Sequence, residues 1–282
     1  MTFPLPAADM FLRIFPKAEK MPSKFCRRHA LAIVAWMLLS ASSVKAEEPP
    51  VIAAASDLQF VLEEIVADFQ AETGHEIRLS FGSTGNFARQ IREGAPFQVF
   101  LAADESFVAD LHTEGLTKDE GALYALGRLV IIVPPNATFK ADSNLNELAA
   151  KLADGSLVRF AIANPDHAPY GARAKEALIS RGLWDQIEPK LVLGENVSQA
   201  AQFALSGNAE GGIIAYSLAL APDLADRGTY ALLPEDWHEP LRQRMVLLRE
   251  AGPVAEAFYA YMQTERARAK MSSYGFTLPQ GE

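Results

Sequence analysis

The chain has 282 residues, enough to bury a sizeable core in one or two domains. Hydrophobic residues make up 49% and charged residues 22%, an ordinary globular composition that excludes a disordered or fibrous protein. A formal net charge of -9 argues against nucleic acid as a partner, because such binding usually leaves a basic face.

Lys24, Arg27 and Arg28 precede an apolar run from Leu31 to Leu39, and Val44-Lys45-Ala46 places small residues before a cut. This pattern predicts a secretory signal peptide over residues 1–46 and a mature chain starting at Glu47. The apolar run is shorter than the roughly 20 residues of a membrane-spanning helix. Met21 opens a complete signal peptide by itself and is the expected true start. Cys26, the single cysteine, would leave with the leader, which removes cysteine catalysis, disulfides and cysteine metal ligation from the mature chain. The first 46 residues hold seven of the 26 basic and two of the 35 acidic residues, so the mature chain carries 19 against 33, a net charge of -14. Bulk attraction cannot be what captures an anion here.

Val51 to Ala55 reads as a buried strand running into Ser56-Asp57, and a periodic helix follows from Leu58 with Val61, Leu62, Ile65, Val66 and Phe69 on one face until Gly74. A strand-to-helix turn leaves the first helical amides without internal partners at the positive end of the helix dipole. Ser56 either caps its own helix or, with those amides, holds an anion. The device recurs: Ile77 to Phe81 alternates as a strand and delivers Gly82-Ser83-Thr84-Gly85 to a helix carrying Phe87, Ala88 and Ile91. Gln98 to Ala103 is a third strand, followed by a helix from Asp104-Glu105 to about Glu114. Strands alternating with helices predict an α/β fold with a mostly parallel, doubly wound sheet, whose ligands settle beyond the carboxyl ends of the strands.

Leu129 to Val133, closed by Pro134-Pro135, is the expected crossover out of the first domain. The pattern then repeats: a helix over 145–153, a strand over 158–163, the loop Asn164 to Gly171, a helix with Ala174, Ala177 and Leu178, and a strand at 191–193. Gly194-Glu195-Asn196-Val197 turns into another helix, 211–216 is a strand, and Ser217 opens a helix. His167, between prolines and without a companion ligand, reads as a loop-fixing residue rather than a metal ligand. Val197 contributes a first-turn amide, which a side-chain inventory overlooks. Arg244 to Leu248 is a final strand, 254–262 a helix, and Tyr274-Gly275-Phe276 packs a last aromatic on the first domain. Strands near 130 and 245 would link two lobes, 47–130 with 241–282 and 131–240, around a cleft lined by four helix N-termini.

The motifs Ala-Ala-Ala-Ser at 53–56, Phe-Gly-Ser-Thr-Gly at 81–85, Ala-Arg-Gln-Ile-Arg-Glu-Gly-Ala-Pro at 88–96, Asn-Pro-Asp-His-Ala-Pro-Tyr-Gly at 164–171, Ala-Lys-Glu-Ala-Leu at 174–178 and the closing Tyr-Gly-Phe carry a resemblance. In order and spacing, the chain from Val51 to Phe276 resembles the periplasmic molybdate-binding proteins of ABC transporters. The resemblance implies a two-lobed periplasmic-binding-protein fold of type II and a tetrahedral oxyanion held by hydroxyls and amides without Arg or Lys. Ser56 would give hydroxyl and amide, Thr84 likewise with Ser83 beside it, and Tyr170 and Val197 their amides. The family often has a tyrosine where this chain has Ala215; Tyr216 falls one residue later, which on a strand turns it to the other face.

The implied ligand is molybdate, with tungstate beside it, and molybdenum enters only as the oxyanion; no cofactor and no catalysis are implied. The implied partner is the membrane permease of an ABC transporter, and the protein is expected to be a periplasmic monomer that binds no nucleic acid. Two other readings stand beside this one. The first is another ligand on the same fold, such as sulfate, thiosulfate or a ferric complex, for which Tyr170 and Tyr216 are candidates. The second is a secreted hydrolase using Ser56 or Ser83, although the chain lacks a Gly-x-Ser-x-Gly elbow.

Overall fold

The computed structural model describes residues 48–279. The expected signal peptide, Met21, Cys26 and the Glu47 start lie outside the described residues. Ten strands form two five-stranded sheets, in the orders β2-β1-β3-β10-β4 and β7-β6-β8-β5-β9.

The first sheet begins with β1 (Val51–Ala55), which runs into a 3-10 turn, Ser56–Leu58, and then α1 (Gln59–Thr73). Gly74 closes α1 in the left-handed region at φ 73°, its amide bonded to the Gln70 carbonyl. The predicted face is the buried one, and Phe69 meets Phe258 and Tyr261 edge-on. Then come β2 (Arg78–Gly82), α2 (Thr84–Arg92), β3 (Phe97–Ala102), α3 (Glu105–Thr113) and β4 (Ala122–Gly127). β1 pairs in parallel with β2 and β3. Both its faces are covered, Ile52 and Ala54 by the α1 side and Ala53 by Phe87 and Phe100. That explains its continuous apolar sequence.

β5 (Leu129–Val133) starts the second sheet, followed by α4 (Asn146–Ala153), β6 (Phe160–Ala163), α5 (Pro169–Ser180) and the short α6 (Trp184–Ile187). After these come β7 (Leu191–Gly194), α7 (Val197–Leu205), β8 (Gly212–Ala215), α8 (Tyr216–Leu220), α9 (Pro222–Ala225) and β9 (Thr229–Leu232). β10 (Leu241–Leu247) returns to the first sheet, and α10 (Pro253–Tyr261) and α11 (Glu265–Ser273) cover it. Tyr274 and Phe276 join the core around α1, as the sequence predicts.

The two sheets share a plan. Three parallel strands carry helices at their carboxyl ends, and one reversed strand, β10 or β5, pairs antiparallel on both sides. Each reversed strand is the one the chain enters on arriving from the other sheet. The first crossing comes slightly earlier than the expected boundary between residues 130 and 131: all of Leu129–Val133 belongs to the second sheet, so the chain changes sheets at Arg128. The sequence reading passes over β4, a six-residue apolar strand, and the edge strand β9, which is only four residues long.

Candidate functional site

Four chain turns at the carboxyl ends of β1, β2, β6 and β7 point at one place. The 3-10 turn starts at Ser56, α2 at Thr84 with Ser83 as its cap, α5 at Pro169-Tyr170 and α7 at Val197. Together with Ala55, Asp57, Gly82, Ala103, Ala168 and Asn196 they line a small cavity between the sheets, about 180 Å³ with its open mouth included. Ser56, Ser83, Thr84, Tyr170 and Val197, the five residues singled out in the sequence, all lie on its wall, each buried. No Lys, Arg or His lines it.

The hydroxyls are set as donors. Thr84 Oγ1 accepts the Ala103 amide at 3.0 Å, and Ser56 Oγ accepts the Ser198 amide at 3.2 Å. With a lone pair engaged, each hydroxyl keeps its proton for another acceptor. Ser83 Oγ caps α2 by accepting the Asn86 amide at 3.4 Å and lies 2.9 Å from His167 Nδ1.

The amides sort by elimination. In α2 the Gly85 amide bonds His167 O and the Asn86 amide bonds Ser83, leaving that of Thr84. In α5 residue 169 is proline, and the Gly171 and Ala172 amides bond the Ala168 carbonyl, leaving that of Tyr170. In α7 the Ser198 and Gln199 amides go to Ser56 and to the Asn196 cap, leaving that of Val197. First-turn amides have no intrahelical partner, so each of these helix starts presents one donor to an anion.

The lobes touch closely around the cavity. Ser198 Oγ donates to Ser56 O at 2.8 Å, Ser217 Oγ to Asp57 O at 2.7 Å, and the Gly85 amide to His167 O at 2.9 Å. His167 sits between Ser83 and Glu195, whose Oε2 is 3.7 Å from Nε2, and Asn86 also donates to Glu195. His167 thus fixes its loop, as expected, and joins it to the opposite lobe. Among the described residues no group of three or more His, Cys, Asp or Glu side chains is arranged to hold a metal ion.

Two residues of the site are not marked by the sequence. Asp57, 1% exposed, lines the cavity, and Gln243 of β10 donates from Nε2 to Asp57 Oδ2 at 2.7 Å and to the Tyr170 hydroxyl at 3.1 Å. The Tyr124 hydroxyl donates to Gln243 Oε1 at 2.8 Å and so fixes which end of the amide faces Asp57. Burial pushes the Asp57 carboxyl up to about 6, against the opposing hydrogen bond from Gln243 and the nearby Tyr170 hydroxyl. Burial, followed by the Asp57 charge, holds the Tyr170 and Tyr124 hydroxyls far above the usual tyrosine range. The one available signal for Gln243 was its place on the apolar face of a strand, between Leu241 and Met245.

Tyr216 stands apart from the cavity. β8 ends at Ala215, and Tyr216 opens α8 with its ring 5.7 Å from that of Tyr230. A larger open groove lies beside Asp104, Glu105, Arg173, Glu239 and Arg244. Its cations are paired, Arg173 with Asp104 at 2.8 Å and Arg244 with Glu105 at 3.1 Å, so it offers no convergent set of free donors.

The sequence profile of the family described as bacterial extracellular solute-binding protein matches residues 50–277. The molybdate-binding protein ModA of Azotobacter vinelandii is 35% identical over 80% of this chain and 89% of its own length. That of Rhodobacter capsulatus is 34% identical over 88% of this chain and 94% of its own. The solved structure of the A. vinelandii periplasmic molybdate-binding protein superposes with a TM-score of 0.74 at 29% identity, covering 82% of this chain and all of that one. The chain belongs to the bacterial extracellular solute-binding proteins, in the family of the ModA molybdate-binding proteins.

Proposed function

We propose that the protein is the periplasmic solute-binding component of an ABC transporter, that it captures molybdate and also tungstate between its lobes, and that it hands the ion to a membrane permease. The observation that carries this reading is the convergence of neutral donors from four chain turns on one small cavity that no cation lines. In the proposed site Ser56, Ser83 and Thr84 give hydroxyls, with amides from Ser56 and Thr84 in the first lobe and Tyr170 and Val197 in the second. The lobes divide at Arg128 and again before β10, residues 129–240 forming the second lobe, and the protein works as a monomer without a cofactor.

The chemistry favours this ligand class. Molybdate and tungstate are doubly charged and fully deprotonated at neutral pH, so they need donors only. Hydrogen bonds to charged groups contribute roughly 1.5 to 3 kcal/mol each, and several together offset the dehydration of a dianion. Sulfate has the same charge and also lacks a proton, so size must separate it, and a cavity closed by contacts on both sides has the rigidity to do so. The relatives named for molybdate support the same choice.

A thermal-shift series with molybdate, tungstate, sulfate, phosphate and ferric citrate tests the assignment. At a thousandfold excess over its dissociation constant a ligand stabilises the folded state by about 4 kcal/mol, a rise of roughly 10 °C for a chain of this size. Molybdate and tungstate are expected to give this rise. A shift with ferric citrate or sulfate alone would reassign the ligand.

A further inference from the structure

A carboxyl group on the wall of a cavity meant for a dianion requires an explanation. Asp57 is buried and lines the same void as Ser56 and Thr84. Its Oδ2 takes the Gln243 amide, while its Oδ1 is buried without any hydrogen-bond partner. An ionised carboxylate can only accept, and although the Tyr170 hydroxyl and the Asp57 amide lie near the carboxyl, neither closes a hydrogen bond on Oδ1. The elements packed against it bring Tyr124 from β4, Tyr170 from α5, Gln243 from β10 and Ser217 from α8, the last bonding its main-chain carbonyl. Among the described residues no Lys, Arg or His pairs with it. A carboxylate and a bound dianion on one uncompensated wall would repel each other, and like charges sharing a site resolve this by holding a proton.

We propose that Asp57 is a specificity-determining residue that is protonated when the site is filled: its carboxylic acid, through Oδ1, donates to a fully deprotonated oxyanion, and capture of the ion therefore takes up a proton. This rests on the oxyanion reading of the cavity. The proton comes from solvent and ends on the Asp57 carboxyl; nothing else changes covalently. Gln243, oriented by Tyr124, donates to Oδ2 and so leaves Oδ1 to carry the proton. The raised carboxyl pKa, about 6, agrees with this placement. The device also sorts ligands. A deprotonated tetrahedral dianion meets a donor, whereas a monohydrogen anion such as phosphate would bring its own proton and need Asp57 as an acceptor.

Titration calorimetry of the whole protein with sodium molybdate at pH 7, in two non-coordinating buffers of different ionisation enthalpy, reads the proton directly. The expected result is uptake of about one proton per ion, with affinity weakening about tenfold per unit from pH 7 to 8. Asp57→Asn keeps the shape and supplies a permanent donor, so its binding heat should be the same in both buffers and its affinity flat with pH. A purely structural role would alter the melting temperature of this variant without touching the proton count. Molybdate binding by the wild type with no buffer dependence and a flat profile would overturn the coupling and leave the ligand reading intact. Phosphate binding tightly where molybdate gives no heat would overturn both, with Asp57 then acting as an acceptor.

Discussion

The first lobe meets the cavity with side chains and the second meets it with main chain. Ser56, Ser83 and Thr84 bring hydroxyls on the turns after β1 and β2, and Asp57 brings the one carboxyl group on the wall. Tyr170 and Val197, opposite, stand at helix starts whose neighbouring amides are already bonded, so their contribution is the amide itself. The difference separates what sequence can change. A hydroxyl is lost with one substitution, whereas an amide survives any replacement except proline. The first lobe is therefore the tunable half of the site and the second the constant half.

The largest effect should come from preventing the halves from meeting. A Cβ on Gly85 would lie 2.6 Å from the His167 carbonyl oxygen of the other lobe, inside any real contact distance. Gly85→Ala should weaken molybdate binding on the order of 100-fold by calorimetry, combining a clash with the loss of the Gly85 amide bond. Each lobe should stay folded, and an unchanged affinity would show that capture does not need this contact.

The Asp57 charge should come next, read as stability. Its carboxyl rises from 3.8 to about 6 on folding, so the folded state favours the neutral form. The associated stability is complete below pH 4 and is lost as pH rises through about 6. The difference amounts to about 3 kcal/mol at 1.36 kcal/mol per pKa unit. Denaturant melts of the ligand-free protein from pH 4 to 8 should show this fall relative to Asp57→Asn. Parallel curves for the two proteins would place the charge elsewhere.

Losing one hydroxyl should weaken binding somewhat less. Thr84→Ala removes a donor and strands the buried Ala103 amide, so affinity should drop roughly 10- to 100-fold with about 1 kcal/mol of stability, while Thr84→Ser should recover most of both. Val197→Ala should change affinity least, within about threefold, because the amide remains and only apolar packing is reduced. A loss for Val197→Ala as large as that for Thr84→Ala would erase the distinction between the two halves.

Legibility in the sequence follows the same division. The hydroxyl loops could be read because each lies where an apolar strand gives way to a periodic helix, with Ser or Thr at the junction. The amide donors have no side-chain signature; Val197 could be found only by asking which main-chain groups a helix start leaves over. The Asp57–Gln243 contact joins positions 186 residues apart, and Asp57 looks like any acid at the start of a helix. Gln243 was visible only as a polar interruption in an alternating apolar face. The sheet change at Arg128 was hidden because a single residue separates β4 from β5, with no turn or loop signal between them.

The most direct test is a crystal structure of the protein with molybdate, located by the anomalous signal of molybdenum. The account predicts one molybdenum site in the cavity, with its oxygens within hydrogen-bonding distance of the Ser56 and Thr84 hydroxyls and the Tyr170 and Val197 amides, and no cation in contact. Molybdenum bound instead in the groove beside Arg173 and Arg244 would contradict it.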